Sequence, residues 1–398
     1  MKNIDLVILA GGMGTRIKEF LNNKPKPMMK FNNIYFLQYL INIFTRYPFN
    51  KIYILTSYKN KIIFDNFHNK IFNLTKIICL KEKKPLGTGG ALNNLKKYKI
   101  NNFILTNGDT IFDIDLKGLI KSYKKDKLGC VALASNKNNI NNVKLNNLDI
   151  KKNTIVYKKK GNLMNGGVYF FNKKIINLLP NKKFSLENEF LPKIIKKGLL
   201  NGKLYKNFFL DIGTPKYLKI SQKKLKDYFF KPAAFLDRDG VINHDYGYVH
   251  KIKDFKFKAG VIRGLKYLIK KNYRIFLITN QAGIARGIFK EKDFFNLQSH
   301  IQNYLLKKNI YIDDVQFCPY HPKGKISKFK KRSKLRKPGN QMVKNILRKY
   351  LVDKKKSFMI GDKVSDKKCA QNSNLKFEYA KNNFESLVKK IVKKFNNY

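Results

Sequence analysis

The chain has 398 residues, and at roughly 100 to 200 residues per domain this length predicts two or three domains. Hydrophobic residues make up 43% of the chain and aromatic residues 13%, so it can build packed cores and is not wholly disordered. The formal net charge of +58 comes from 75 Lys and nine Arg that are spread along the whole chain. Because Arg, the bidentate reader of phosphates and bases, is scarce, we expect no nucleic-acid binding and only a general attraction for anionic small substrates.

The spacing of the cysteines and the lengths of the apolar runs indicate in which cellular compartment the protein is expected. The four cysteines lie far apart and form no CxxC pair, so we expect neither a disulfide framework nor a zinc ribbon, which fits a reducing cytoplasm. The apolar run 4–10 is short and ends in two glycines, which favours a buried first strand over a signal peptide. No window approaches 18 uncharged apolar residues, so we expect no membrane insertion.

Short apolar runs alternate with helical stretches along the chain, at residues 6–10, 52–56, 77–80, 103–106, 233–236 and 275–279. This alternation predicts an α/β fold with two Rossmann-like domains, each built on a mainly parallel sheet covered on both faces. A lysine-rich amphipathic stretch at 216–231 ends in Pro232, and we place the boundary between 222 and 232. The sequence therefore predicts one domain over residues 1–228 and a second over 229–398.

A glycine-rich turn, residues 10–16 (AGGMGTR), follows the first predicted strand. Its glycines let the backbone approach a nucleoside triphosphate closely and turn N–H groups toward the phosphates. Residues 24–28 (KPKPM) follow, a proline-stiffened segment that can hold a lysine over the same phosphates. The turn differs from the dinucleotide-binding fingerprint, because no acidic residue that could bind a ribose stands about 20 residues further on.

Together with later segments, these motifs resemble the sugar-1-phosphate nucleotidyltransferase family along the whole first domain. The later segments are residues 82–90 (EKKPLGTGG), 107–110 (NGDT), 165–169 (NGGVY), 185–187 (SLE) and 211–215 (DIGTP). Five ordered motifs make an accidental match improbable. The amino-acid sequences of these motifs are most similar to those of the heptose 1-phosphate guanylyltransferases, with the mannose 1-phosphate guanylyltransferases next.

The resemblance implies a reaction in which a sugar phosphate oxygen attacks the α-phosphorus of an NTP while pyrophosphate leaves. It implies Mg²⁺ at Asp109 and Asp211, and neutralisation of the β- and γ-phosphates by Arg16 and Lys26. It also implies nucleotide contacts at Gly11, Gly12, Gly14, Thr15, Gly87, Thr88 and Gly89. Substrate contacts are expected at Lys160, Asn165, Gly166 and Glu187, although Lys159 stands where the family has an acidic residue.

Two carboxylates, Asp237 and Asp239, stand at the end of the predicted strand 233–236. Such a DxD pair is typical of haloacid-dehalogenase-type phosphatases, in which one carboxylate attacks phosphorus while the other protonates the leaving oxygen and later activates water. The resemblance implies Asp237 as nucleophile, Asp239 as acid and base, and Mg²⁺ held by Asp237, Asp239 and Asp362, with Asp366 as outer support. Substrate contacts are expected at Thr279, Asn280, Gln281, Arg286, Arg336 and Lys337.

Five segments narrow this resemblance to the heptose 1,7-bisphosphate phosphatases, with the histidinol-phosphate phosphatases as near relatives. They are residues 237–249 (DRDGVINHDYGYV), 279–287 (TNQAGIARG), 318–322 (CPYHP), 336–339 (RKPG) and 361–366 (GDKVSD). That family often has a zinc loop with three cysteines and one histidine. Here Cys318 remains, but Tyr320 replaces the histidine, and Ser333 and Leu335 replace the later cysteines. We therefore expect no structural zinc, and a loop at 323–334 that is either held by packing or disordered.

The two halves imply consecutive reactions, because loss of the 7-phosphate from a heptose bisphosphate gives the heptose 1-phosphate that the transferase would use. The sequence predicts a bifunctional cytoplasmic enzyme of NDP-heptose synthesis, with GTP as the expected donor and Mg²⁺ at both sites, serving surface polysaccharide or lipopolysaccharide. Its partners are expected to be small molecules, NTP and sugar phosphates, and an assembly of identical subunits is left open.

Two alternatives remain at this point. One is a mannose 1-phosphate or other hexose 1-phosphate nucleotidyltransferase fused to a histidinol-phosphate or sugar phosphatase. The other is a basic RNA- or membrane-binding protein with decayed catalytic domains, which the intact aspartates of both motif sets disfavour.

Overall fold

The computed structural model describes residues 3–12, 14–21, 23–57, 59–82, 84–135, 147–159 and 161–396. The chain forms two compact units. The first comprises Met1–Phe44 and Phe49–Lys224, and the second comprises Thr45–Pro48 and Leu225–Tyr398. Over the described ranges, no helix combines the length and the apolar composition needed to cross a membrane.

The first unit is built around a ten-stranded sheet with the strand order β10-β11-β13-β9-β12-β7-β1-β4-β6-β5, supplemented by two small two-stranded sheets, β2-β3 and β8-β14. The strands are β1 (Ile4–Leu9), β2 (Lys30–Phe31), β3 (Ile34–Tyr35), β4 (Ile52–Thr56), β5 (Ile71–Phe72), β6 (Thr75–Lys81), β7 (Asn102–Asn107), β8 (Thr110–Phe112), β9 (Gly129–Ser135), β10 (Leu148–Lys151), β11 (Thr154–Tyr157), β12 (Leu163–Phe171), β13 (Leu200–Tyr205) and β14 (Phe209–Asp211).

This sheet is mixed, which corrects the expectation of a mainly parallel sheet in the first unit. Strands β7, β1, β4 and β6 run parallel to one another, but β12 pairs antiparallel with both β7 and β9. The sequence does not distinguish these cases, because a strand covered on both faces is a continuous apolar run in either direction. The segment from Val168 to Phe171 on β12 is an example, since all of its residues are buried.

Helices and shorter turns cover the sheet of the first unit. The helices are α1 (Phe36–Phe44), α2 (Lys61–Phe67), α3 (Gly87–Gly90), α4 (Leu116–Lys121) and α5 (Leu191–Lys196), and α6 (Pro215–Phe229) contains the boundary between the two units at Lys224 and Leu225. Turns of 3₁₀ helix lie at Thr15–Phe20, Lys26–Met28, Ala91–Lys97 and Lys173–Leu178, and a π-helical turn lies at Leu186–Phe190. Asp115 starts α4 by accepting two backbone N–H bonds at the helix N-terminus, where N–H groups lack intrahelical partners.

The second unit has a five-stranded sheet that is parallel at each pairing, in the order β17-β16-β15-β18-β19. Its strands are β15 (Ala233–Leu236), β16 (Arg274–Asn280), β17 (Asp314–Cys318), β18 (Phe358–Gly361) and β19 (Lys376–Tyr379). Its helices are α7 (Val261–Lys270), α8 (Ala282–Ala285), α9 (Glu291–Lys307), α10 (Gln341–Leu347), α11 (Val364–Gln371) and α12 (Phe384–Asn396), and 3₁₀ turns lie at Ile252–Asp254, Ser327–Phe329 and Lys354–Lys356. The carboxyl ends of β15, β16 and β18 meet at one edge, where ligands of such sheets bind.

Candidate active sites

A compact charged cluster lies at the carboxyl edge of the parallel sheet. Asp237 follows β15, and its carboxylate lies 2.7 Å from Nζ of Lys337. The same Nζ lies 2.6 Å from the carboxylate of Asp366 in the first turn of α11, and the side chains of Lys337 and Asp366 are each 1% exposed. Nζ also donates to the backbone carbonyl of Ile278 on β16. One buried ammonium group therefore fixes the positions of two buried carboxylates from separate elements.

The pKa shifts in this cluster follow from its burial and its charges. Burial raises the pKa of Asp237 to about 6, with Lys337 opposing this shift and Asp366 adding to it. Burial alone would lower the pKa of Lys337, but Asp237 and Asp366 outweigh it and the pKa is raised. Lys337 therefore stays positively charged, whereas a further cation would help Asp237 to stay ionised.

Three carboxylates of the second unit could hold a metal ion. One oxygen each from Asp237, Asp362 and Asp366 lies within 4.8 Å of the others. Oδ1 of Asp362 is buried and has no hydrogen-bond partner among the described residues, and burial raises the pKa of this carboxyl. Oxygen ligands of this kind suit a hard divalent cation such as Mg²⁺, so the residues present fit the ion that the sequence predicts.

The structure differs from the sequence prediction at Asp239, whose carboxylate is not part of this three-carboxylate group. It instead forms an ion pair with Arg238, 3.0 Å away. Asp366, which the sequence analysis treats as outer support, is the third member of the group. The sequence analysis assigned no role to Arg238. Its position between the two aspartates of the motif was the one sequence feature that could have indicated a role.

A cavity of about 400 Å³ opens over the cluster, and the six predicted substrate contacts line it together with Asp237 and Asp239. These contacts are Thr279, Asn280, Gln281, Arg286, Arg336 and Lys337. Asn280 also exchanges two hydrogen bonds with the backbone of Lys337, so it helps to position the lysine. The two guanidinium groups give the cavity further positive charge, which can bind a second anionic group of the substrate.

The loop after β17 does not fit the zinc site of the resembled family. Cys318 is buried, and its Sγ lies 3.8 Å from the backbone carbonyl of Tyr320. The ring of Tyr320 packs 6.1 Å from that of Phe329, which is 9% exposed. Leu335 packs against the core of the unit, and its backbone N–H donates to Ser333. One thiol among four family positions is too few for a tetrahedral zinc site, and packing holds this loop instead.

In the first unit, four predicted residues come together near the ends of β7 and β14. Nζ of Lys26 donates to the carboxylate of Asp109 at 2.7 Å. Asp211 lies on β14, opposite Thr110 of β8. Burial and the charge of Asp109 raise the pKa of Asp211 to about 6, against the effects of Lys26 and Arg16. The two carboxylates could share a divalent cation, and the two cations could balance anionic phosphates.

The glycine-rich segments make close backbone contacts in the first unit. Gly14 has φ +62° and Gly87 has φ +78°, both in the left-handed region that favours glycine. A Cβ on Gly87 would lie 2.5 Å from the carbonyl oxygen of Phe184, and a Cβ on Gly89 would lie 2.1 Å from the Phe184 ring. Phe184, which sequence reasoning missed, therefore packs against the predicted nucleotide segment.

The other predicted nucleotide contacts lie beside strand ends. A Cβ on Gly11 would lie 2.9 Å from Oγ of Ser57, which follows β4, whereas Gly12 faces open space. Thr15 begins a 3₁₀ turn. Thr88 donates to the carboxylate of Glu187 at 2.7 Å, which joins the predicted nucleotide segment to a predicted substrate residue.

A second cavity, of about 210 Å³, is lined by Asn165 and Glu187 among mainly apolar residues. Asn165 is held by Tyr169, to which its amide donates, and by the backbone N–H of Gly167. Gly166 packs on Phe112, because a Cβ there would lie 2.4 Å from the ring. The structure thus brings three of the four predicted sugar-phosphate contacts to one region, while Lys160 lies outside the described residues.

Comparison with known proteins matches a different family model to each half of the chain. The family model described as Nucleotidyl transferase matches residues 6–144, and the model described as Polynucleotide kinase 3 phosphatase matches residues 233–389. The chain is 45% identical over 139 residues to D-glycero-beta-D-manno-heptose-1,7-bisphosphate 7-phosphatase of Photorhabdus laumondii, covering 35% of this chain and 74% of that protein. The chain belongs to this phosphatase family through its second unit. Its first unit carries a nucleotidyl transferase domain, so the chain combines a transferase with a phosphoric monoester hydrolase.

Two further relatives are similar to the separate halves. The phosphatase of the same name from Haemophilus influenzae is 42% identical over 144 residues, covering 36% of this chain and 78% of that protein. The crystal structure of HddC from Yersinia pseudotuberculosis is 34% identical, covers 56% of this chain and 100% of that chain, and has a TM-score of 0.47.

Proposed function

We propose that this chain makes a nucleotide-activated heptose in two steps. A phosphatase domain, residues 229–398, would remove the 7-phosphate of D-glycero-D-manno-heptose 1,7-bisphosphate. A nucleotidyltransferase domain, residues 1–228, would then join the resulting heptose 1-phosphate to a nucleotide, with GTP as the expected donor. The observation that supports this most strongly is the buried Asp237–Lys337–Asp366 cluster beneath a cavity lined by further cationic side chains.

In the phosphatase step, a carboxylate oxygen of Asp237 attacks the phosphorus of the 7-phosphate, and the bond from phosphorus to the sugar oxygen breaks. Asp239 gives a proton to that oxygen, so that heptose 1-phosphate leaves as an alcohol. A water molecule then attacks the aspartyl-phosphate, loses its proton to Asp239, and releases inorganic phosphate. Lys337 balances the charge of the phosphoryl group, while Thr279 and Asn280 supply hydrogen-bond donors beside it.

We infer that Asp237, Asp362 and Asp366 hold Mg²⁺ in this site, because their oxygens converge and one of them has no partner among the described residues. When bound, the ion neutralises charge on the phosphoryl group and on the carboxylates. The rim guanidinium groups of Arg286 and Arg336 are then available for the 1-phosphate that the product retains.

In the transfer step, the glycine segments around Gly11 and Gly87 place the nucleotide against the strand ends. Lys26 and Arg16 balance the phosphates, while Asp109 and Asp211 are the proposed Mg²⁺ ligands, whose ion neutralises charge in the transition state. Asn165 and Glu187 line the proposed sugar cavity. The 1-phosphate oxygen attacks the α-phosphorus, and pyrophosphate leaves on the opposite side.

The test is to incubate the purified chain with heptose 1,7-bisphosphate, Mg²⁺ and each NTP in turn, and to identify the products by mass. We expect inorganic phosphate, pyrophosphate and GDP-heptose. Supplying mannose 1-phosphate in parallel tests the alternative substrate. Phosphate release without any nucleotide sugar would contradict the coupled function, and the absence of both products would contradict the two assignments together.

A further inference from the structure

The carboxylate of Asp239 is held by four hydrogen-bond donors. Oδ1 accepts from Nε of Arg238 at 3.1 Å and from Nδ2 of Asn243 at 3.0 Å. Oδ2 accepts from Nη2 of Arg238 at 3.0 Å and from Nε2 of Gln281 at 2.9 Å. Arg238 supplies two of the four donors and the only charge among them, in the bidentate geometry that fixes a carboxylate plane.

Arg238 itself cannot easily move. Its side chain is 1% exposed, and its Nη2 donates to the backbone carbonyl of Val249 at 2.8 Å. The guanidinium carbon lies 5.5 Å from the centre of the Phe294 ring on α9. Its backbone N–H donates to Oδ1 of Asp237 at 2.7 Å. Because the backbone and the guanidinium group of Arg238 are both held in place, its side chain loses little further conformational entropy when it binds Asp239. Arg238 can therefore define the orientation of that carboxylate.

Two buried cations contact different carboxylates in this part of the unit, and the more exposed Lys363 lies 3.9 Å from Asp362. Lys337 contacts Asp237 and Asp366, whereas Arg238 contacts Asp239. Removing the guanidinium group would leave Asp239 beside other carboxylates with two neutral amides as its remaining partners. Like charges at short range repel strongly in a buried setting, so the carboxylate would lose its fixed direction toward the cavity.

We propose that Arg238 is a positioning residue for the proton transfers of Asp239. This inference rests on the proposed phosphatase function, in which Asp239 protonates the leaving sugar oxygen and then takes a proton from water. Arg238 acts through Asp239, because Arg238 is enclosed by protein groups and is not among the residues that line the cavity. Gln281 and Asn243 also donate hydrogen bonds to the Asp239 carboxylate, but neither side chain is charged.

The experiment compares two substrates that differ in their need for a proton. Heptose 1,7-bisphosphate has an alkyl leaving group that must be protonated, whereas p-nitrophenyl phosphate releases a phenolate that needs no proton. Leaving-group release is measured in a single turnover for wild type, Arg238→Gln and Arg238→Lys. For Arg238→Gln we expect a loss of about 10²-fold or more with the heptose substrate, the contribution of a positioned acid, and less than about tenfold with the aryl substrate. Arg238→Lys keeps the charge and should recover part of the loss.

Arg274→Gln is the matched control, because Arg274 is another buried arginine of the second unit, paired with Asp313 at 3.0 Å and absent from the cavity lining. It should show no dependence on the leaving group. Equal losses with both substrates, or no loss, in Arg238→Gln would overturn the proposal. If that variant does not fold, Arg238→Lys decides by the same comparison.

Asp239→Asn separates the failure of this inference from the failure of the proposed function. If Asp239→Asn harms both substrates equally, Asp239 is not the acid and the proposed phosphatase chemistry is wrong, together with the inference. If the loss of rate in Asp239→Asn depends on the leaving group but the loss in Arg238→Gln does not, only the inference fails. The double variant should lose no more than Asp239→Asn alone, because a positioning residue has no effect once its target is removed. Additive losses would contradict it.

Discussion

The cations paired with Asp237 and Asp239 in the proposed phosphatase site have almost no exposed surface, whereas the Lys26–Asp109 pair of the proposed transferase site is more open. Lys337 and Arg238 are each 1% exposed in their side chains. In the first unit, the side chain of Lys26 is 9% exposed and that of its partner Asp109 is 32% exposed. The proposed phosphatase reaction uses a protein carboxylate as nucleophile, so its position must be fixed before the substrate arrives.

The proposed transferase reaction joins two bound substrates and uses no protein nucleophile. Its proposed site includes glycine-rich segments whose backbone packs closely, such as Gly87 against Phe184. From this comparison we expect phosphatase activity to depend mainly on single charged side chains. Transferase activity should depend more on backbone geometry and on a bound cation. The predictions below test this difference, from the largest expected effect to the smallest.

Asp237→Asn should lower phosphatase activity by about 10⁴-fold or more, as is typical when a covalent nucleophile is removed. Transfer from supplied heptose 1-phosphate should be unchanged, because the nucleotide residues belong to the other unit. Phosphate release and pyrophosphate release are measured separately. Asp314→Asn is the matched control, since Asp314 is also buried and paired with a lysine, Lys349, but does not line the cavity. A parallel fall in transfer by a folded Asp237→Asn protein would contradict independent sites.

Asp109→Ala should stop nucleotide-sugar formation and let heptose 1-phosphate accumulate from the bisphosphate. Loss of a metal ligand removes charge stabilisation of several kcal/mol, which corresponds to roughly 10³-fold in rate. Product analysis by mass measures both compounds. Asp115→Ala, which removes a helix cap in the same unit, should cost about 1 kcal/mol of stability and keep both activities. An unchanged yield of nucleotide sugar would remove Asp109 from the metal site.

Gly87→Ala should lower stability by about 1–3 kcal/mol and reduce transfer, because it adds both a positive-φ penalty and a clash with the Phe184 carbonyl. Gly198→Ala is the control, since Gly198 has φ +65° but its nearest neighbour for a Cβ is 3.9 Å away. Urea denaturation of the full-length variants measures the stability difference. If both substitutions have the same effect, the close approach to Phe184 is not what requires glycine.

Treatment with a zinc-selective chelator should have the smallest effect on folding and activity. Cys318 and His321, the histidine next to Tyr320 in the segment 318–322, offer too few donors for a tetrahedral site. Tyr320, Phe329 and Leu335 hold the loop by packing. Purified protein should contain far less than one zinc per chain, and a zinc-selective chelator should change neither folding nor phosphatase activity in excess Mg²⁺. Elemental analysis and activity assays measure this. Stoichiometric zinc that is lost together with activity would show that other residues act as ligands.

Much of the molecule was predictable from its sequence because strand ends and motif order are local properties. The apolar runs at 52–56 and 233–236 are β4 and β15 with the predicted bounds. Asp237 follows β15 directly, so its place at the sheet edge needed no tertiary information. Gly14 and Gly87 were also marked by their sequence contexts, and their positive φ values account for glycine at these positions.

The tertiary structure decided what depends on residues distant in sequence. The direction of β12 was not encoded in its apolar run, because burial on both faces gives the same pattern in either direction. The three-carboxylate group includes Asp366 and not Asp239, whose carboxylate pairs with Arg238. A motif fixes which carboxylates stand near a strand end. Their ion-pair partners are set by packing across the unit, because Lys337, which pairs with Asp237 and Asp366, comes from a distant segment of the chain.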